Sequence, residues 1–339
     1  WAADAIAKWT GKTPVGHQNF AEALHAGSVG APGARDALQA IADDPAQPAI
    51  VRATAIDRLA PWLTPETLSS VTNALNDPDP LVRLAAVEAL SATDSAIRLR
   101  YLPRLFADPV RSVRIEAARA LAGPDESRIP APQRDAFAKA LAEYVAVQTY
   151  NADRPEGHVN LGNLYALRGD PDRARAQFEQ ALAIDPRSVE ARVTLADLHR
   201  AWGADGEAEA VLRKGVALEP RAAPLHHALG LALVRQKQTA AAVRELGEAA
   251  KLAPANARYA YVYAVALHDT GRPQDALRVL REALKRQPYD REVLFVLAQY
   301  SAAGNRESAL GYARQLLELD PENPQYARLV ASLSGGTGR

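Results

Sequence analysis

Seven histidines, 40 carboxylates and 11 tyrosines are the side chains of this 339-residue chain with the means to do chemistry, and cysteine and methionine are both absent. The missing cysteine excludes disulfides, zinc ribbons, iron–sulfur clusters, thiol catalysis and covalent haem attachment within these residues. His226 and His227 are neighbours in a helical pattern, so their rings diverge by about 100° and do not chelate one ion. His158 and His226 fall at equivalent packing positions two repeats apart, and His199 reads as a core position. No paired-histidine spacing remains, and no metal site is expected. The carboxylates fall on solvated faces and turns. There is no His-Glu-x-x-His, no Gly-x-Ser-x-Gly and no strand pattern to hold a phosphate loop, and the tail from Gly335 to Arg339 lacks a Gly-Lys-Ser/Thr ending. A non-catalytic chain is expected. Among the clustered tyrosines, Tyr259 and Tyr263 share a face at i and i+4, whereas Tyr261 points about 200° away. That geometry makes Tyr263 a packing residue and leaves Tyr261 as the recognition candidate.

The elements that position these residues repeat with two periods. Val51-Arg52-Ala53-Thr54-Ala55 returns as Val82-Arg83-Leu84-Ala85-Ala86 and as Val113-Arg114-Ile115-Glu116-Ala117, 31 residues apart each time. An Asp-Pro break precedes each copy, at Asp44-Pro45, Asp77-Pro78 and Asp108-Pro109, where proline stops one helix before the next begins. Farther on, Pro186, Pro220, Pro254, Pro288 and Pro321 recur at intervals of 34, 34, 34 and 33. A 34-residue helix-turn-helix period is that of the tetratricopeptide repeat. Its small and bulky positions are filled by Gly162, Ala174, Phe178 and Ala181, by Ala196, Ala208, Leu212 and Gly215, by Gly230, Ala242, Leu246 and Ala249, and by Ala264, Ala276, Leu280 and Ala283. A fifth unit with Ala298 and Ala309 is degenerate, as terminal repeats commonly are. The 31-residue units resemble short HEAT-like repeats, a likeness that implies pairing of the arginine after valine with the turn acid of a neighbouring repeat.

The expected fold is all-α, an α-solenoid with a short HEAT-like array followed by a tetratricopeptide superhelix. Its parts are a helical lead-in (1–32), the HEAT-like repeats (33–123), a Pro-rich linker (124–132), five tetratricopeptide repeats with capping helices (133–333) and a flexible tail (334–339). In such an array the first helix of each pair lines the inner wall. By register the groove candidates are Asn163, Asp197, Arg200, His227, Leu231, Tyr261, Val265, His268, Phe295 and Gln299. The Lys and Asn set that clamps a C-terminal carboxylate in chaperone-type repeats is missing, since the relevant position holds Val159, Val193, His227, Tyr261 and Phe295. An apolar groove of this kind receives a helix or extended segment of a partner protein, or packs on another part of the same polypeptide.

Lys and Arg balance Asp and Glu at 40 each, which removes the basic field that nucleic acid requires. The longest apolar run, Tyr259 to Leu267, is far short of the roughly 20 residues of a membrane span. Without methionine, and with no signal-like leader at Trp1-Ala2-Ala3-Asp4, the chain reads as a processed product or a fragment.

Four segments carry a second resemblance: Trp1-Ala-Ala-Asp-Ala-Ile-Ala-Lys-Trp9, Pro48-Ala-Ile-Val-Arg-Ala-Thr-Ala55, Asn151-Ala-Asp-Arg-Pro-Glu156 and His226-His-Ala-Leu-Gly-Leu231. They are similar to the C-terminal region of multihaem c-type cytochromes with HEAT-like and tetratricopeptide repeats behind the haem part. The resemblance implies a periplasmic or cell-surface protein, haem c in residues ahead of Trp1, and a scaffold that docks a haem domain or redox partner in electron transfer. The chain itself holds no Cys-x-x-Cys-His, so no haem ligand carries over. The alternative expectation is a free-standing tetratricopeptide adaptor for assembly of a cell-envelope complex, and a cytoplasmic location stays open.

Overall fold

The computed structural model describes residues 2–11 and 20–335; most of the expected tail, 336–339, and Trp1 lie outside the described residues. Every regular element among them is helical, as the two periods predict. The chain divides into two compact units, 1–92 and 93–339.

The first unit holds α1 (Ala2–Thr10), α2 (Phe20–Val29), α3 (Ala34–Asp43), α4 (Ala49–Leu59), α5 (Pro65–Ala74) and α6 (Pro80–Ser91). Each break has a local cause. The Asp44 carboxylate accepts the N–H of Ala46 at 2.9 Å and Asp77 accepts that of Asp79 at 2.9 Å, the side-chain turn that Asp favours before a new helix. Thr64 and Thr67 form a reciprocal cap on α5, and Asp79 caps α6 through the N–H of Leu81. Val51 and Val82 are buried, which turns the arginine after each toward the loops. Arg52 donates to the carbonyl of Gln47 in its own turn and, with two nitrogens, to the carboxylate of Asp77 in the next one. The pair is largely shielded from water. Burial alone would raise the Asp77 carboxyl, but the bonds from Arg52 and the Asp79 N–H, with the charges of Arg52 and Arg83, hold it below its ordinary range.

The second unit holds α7 (Ser95–Tyr101), α8 (Arg111–Leu121), α9 (Arg134–Tyr150) and then paired helices: α10 (Pro155–Leu167) with α11 (Pro171–Ile184), α12 (Val189–Ala201) with α13 (Asp205–Leu218), α14 (Ala223–Arg235) with α15 (Thr239–Leu252), α16 (Ala257–Asp269) with α17 (Pro273–Arg286), and α18 (Arg291–Ser301) with α19 (Arg306–Leu319), closed by α20 (Pro324–Ser334). Arg114 on α8 repeats the habit of Arg52, donating to the carbonyls of Asp108 and Pro109 and to both oxygens of Glu143 on α9 at 2.7–3.1 Å.

The Pro-rich stretch 124–132 is packed against its neighbours. Its prolines do exclude an α-helix, but they set two 3-10 turns that pack. Ile129 is fully buried. Asp125, also buried, accepts from Ser95 and from Arg98 at 2.8 Å, and Arg168 reaches Glu126 at 2.8 Å. Proline removes a helical hydrogen bond without removing the apolar surface or the charges beside it. The segment therefore joins α8 to α9 and α10 within the compact unit 93–339.

Through the 34-residue pairs the small and bulky positions are the core. Ala174, Phe178 and Ala181, with Ala242, Leu246 and Ala249 two repeats later, are essentially inaccessible. The first helices α10, α12, α14 and α16 each end on one residue in the left-handed region, at 169, 203, 237 and 271, with φ of 74°, 74°, 59° and 77°. Three are glycine, which adopts that conformation freely; the third is Lys237, which does not.

Candidate recognition groove

An apolar cavity of the second unit lies between the first helices α12 and α14, with α13 behind them. It measures about 480 Å³. Its floor is made of small and branched residues, Val193, Ala196, Ala208, Leu212 and Ala228, because helix pairs in this register approach through alanine and leave room where no long side chain fills in. At the rim Leu231 and Val234 are 40% and 49% exposed, one helical turn apart on α14.

The rim is polar on one side. Arg200 donates to Asp197 at 3.1 Å, and Arg235 to Asp205 at 2.9 Å. On the other side the ring of His227 packs on Tyr259 of α16, centroids 4.5 Å apart and planes at 32°. Nδ1 of His227 is enclosed and has no hydrogen-bond partner among the described residues. Burial, and then the charge of Arg258, push this imidazole below its ordinary pKa, so it stands neutral at pH 7. Arg258 is itself tied to Glu292 at 2.9 Å and lies over the ring of Tyr261.

Asp197, Arg200, His227 and Leu231 therefore line one cavity. Asn163 lines a second, more polar one of about 330 Å³, with Tyr144, Gln148 and Asn160. Tyr261 and Val265 lie outside the first cavity, and His268 stacks on Tyr300 at 3.9 Å. Phe295 packs against the cluster of Leu294, Leu316 and Leu319, to which Tyr326 and Leu329 of the closing helix α20 also pack, and Gln299 is exposed.

Two readings of single residues are corrected. Tyr259, set aside in favour of Tyr261, is the tyrosine that lines the groove, because the neighbouring repeat brings His227 against it. His199 is not in the core: it is half-buried and lines a third cavity with Trp202, in the last turn of α12. The adjacent His226 and His227 do diverge. His226 turns inward to Glu245 at 2.8 Å and the carbonyl of Pro220 at 3.0 Å, and His158 meets Gln177 at 2.7 Å in the equivalent place.

Among the described residues no three His, Asp or Glu side chains converge as metal ligands, and no helix is long and apolar enough to cross a membrane. The cysteine-free sequence offers no attachment for c-type haem, and the chain's residues do not fit that group.

Comparison with known families rests on the same periods. A model of HEAT repeats matches residues 36–122, and two models of the tetratricopeptide repeat match 165–233 with 267–333 and 133–188 with 227–291. The chain carries HEAT repeats followed by tetratricopeptide repeats. No curated protein matches it, and none of these matches relates it to the multihaem cytochromes. Solved structures to which the chain is similar include PilF of Pseudomonas aeruginosa, at 23% identity over 53% of this chain and 83% of that one with a TM-score of 0.46. TTC0263 of Thermus thermophilus is 26% identical over 53% and 98%, with a TM-score of 0.40. YrrB, described as a tetratricopeptide repeat protein with an unusual peptide-binding site, is 19% identical over 57% and 97%, with a TM-score of 0.42.

Proposed function

We propose that the tetratricopeptide repeats serve as a protein-interaction scaffold and that the cavity between α12 and α14 receives an apolar side chain from a segment of a partner protein. The observation that carries this reading is the pairing of an open apolar floor with exposed Leu231 and Val234 at its rim. Leaving those side chains in water forgoes roughly 1–2 kcal/mol each that a partner would recover.

A random peptide library selected on the whole chain tests this. Selected segments should carry a bulky apolar residue, and their binding should fall at least about tenfold when Leu231→Asp or Val234→Asp places a carboxylate at the rim. Segments that bind those variants as well as the parent would refute the site. On the resemblance carried by Trp1–Trp9 and its three companion segments, the partner is a haem domain or redox protein of an exported assembly. A Soret band in the natural polypeptide supports that assignment, and a colourless polypeptide supports the free-standing adaptor.

A further inference from the structure

A cavity of about 300 Å³ that shares no residue with the groove is formed where α11 and α13 begin and α12 ends. Trp202, 53% exposed, lines it together with Leu198, His199 and Pro171, and so do Asp172 and the exposed Glu207. An indole left this open on the surface is unusual, and tryptophan is the side chain most enriched where proteins bind one another.

The charges say what kind of group completes the cavity. The first turns of α11 and α13 carry Asp172, Asp205 and Glu207, with Asp170 capping α11, which offsets the positive ends of both helices. Three of the four carboxylates are already matched: Asp170 by Arg173, Asp172 by Arg175 at 3.3 Å and Asp205 by Arg235. Glu207 has no hydrogen bond or ion pair among the described residues. The lining thus holds two acids against the single cation Arg175; the C-terminal carbonyl end of α12 adds negative potential and the N-terminal ends of α11 and α13 subtract from it. An aromatic face next to an unmatched carboxylate is complementary to a flat cation. Arginine fits better than lysine, because its guanidinium lies on an indole while its edge forks onto a carboxylate.

We infer that Trp202 and Glu207 form a docking site for an arginine side chain of a partner protein, independent of the groove. The guanidinium stacks on the indole and donates to the Glu207 carboxylate, and Arg175 stays on Asp172.

The test is a titration of the full chain with the tripeptide acetyl-Ala-Arg-Ala-amide, followed by the indole N–H resonance of Trp202, which Trp202→Phe assigns. The resonance should move saturably. The citrulline tripeptide, which keeps the shape and loses the charge, should bind at least about fivefold more weakly, as should the arginine tripeptide to Glu207→Gln. Equal binding of arginine and citrulline, or a Trp202 signal that stays still up to tens of millimolar peptide, would overturn the assignment. Both comparisons are made at one salt concentration, and the citrulline arm needs no variant to fold.

Discussion

Gly162 on α10 faces Phe178 on α11 so closely that a Cβ there would stand 2.6 Å from ring atom Cδ1 and 2.9 Å from Cζ. Real Cβ atoms do not sit at such distances, so in Gly162→Ala the ring or the helix must shift. The substitution removes a glycine from a helix interior, a gain of ~1 kcal/mol, and overpacks a filled core, a loss of ~1–3 kcal/mol. The net expectation is a loss of about 0–2 kcal/mol. Phe178→Leu alone removes part of a buried ring and should cost about 1 kcal/mol. In the second and fourth repeats the same two positions hold Ala196 with Leu212 and Ala264 with Leu280, all buried. Combining Gly162→Ala with Phe178→Leu rebuilds that pair in the first repeat. The double variant should come back to within about 1 kcal/mol of the parent, a coupling of ~1–3 kcal/mol. Urea unfolding at constant m, with hydrogen exchange resolved for α10 and α11, reads the coupling where it arises, since repeat arrays can unravel unit by unit. Additivity to within about 0.5 kcal/mol, or a Gly162→Ala variant more stable than the parent, would refute the register and the steric reasoning together.

Lys237→Gly should raise stability by about 1 kcal/mol by relieving the left-handed backbone that residues 169, 203 and 271 meet with glycine; thermal melting checks it, and a lower midpoint contradicts it. Arg192 is buried, donates from Nη2 to the carbonyl of Pro186 at 2.6 Å, and has an Nε with no partner. Unlike His226 it has no acid opposite, because Val211 stands where Glu245 does one repeat later. Arg192→Met should therefore be neutral or stabilising by about 1 kcal/mol in chemical denaturation, and a large loss would show that the guanidinium is matched after all. The Asp77 carboxyl titrates below its unfolded value near 4. Its contribution is therefore fully present above that pH and is lost as pH falls through the lowered value. Melting of Asp77→Asn should trail the parent at pH 7 and close on it as pH falls through the lowered value, and a gap that does not narrow with falling pH would rule out ionic pairing with Arg52.

The fold was legible because each 34-residue copy specifies the same contacts. Alanine at 174, 208, 242, 276 and 309 marks where two helices must approach, and all five are buried. What a single copy cannot show is contact between copies. Tyr259 and Tyr263 share a face of their own helix, yet Tyr259 meets His227 of the preceding repeat, a consequence of stacking and not of helical phase. Phe295 follows the groove register but packs on the Leu294, Leu316 and Leu319 cluster, which α20, an element outside the period, also covers. The prolines of 124–132 announced the end of a helix correctly and said nothing of the burial of Ile129 and Asp125, which arises from residues 30 or more positions away in the case of Ser95. Trp202 carried a signal that composition alone passes over: a large aromatic at a helix end, with acids in the two helix starts that meet it.

The central claim is that partners seat between α12 and α14. Hydrogen–deuterium exchange of the chain with and without a library-selected peptide tests it most directly. Slowed exchange should concentrate in α12, α14 and the start of α16, around Asp197, His227, Leu231 and Tyr259. Protection confined to the second helices α13 and α15, or to residues 20–92, would contradict it.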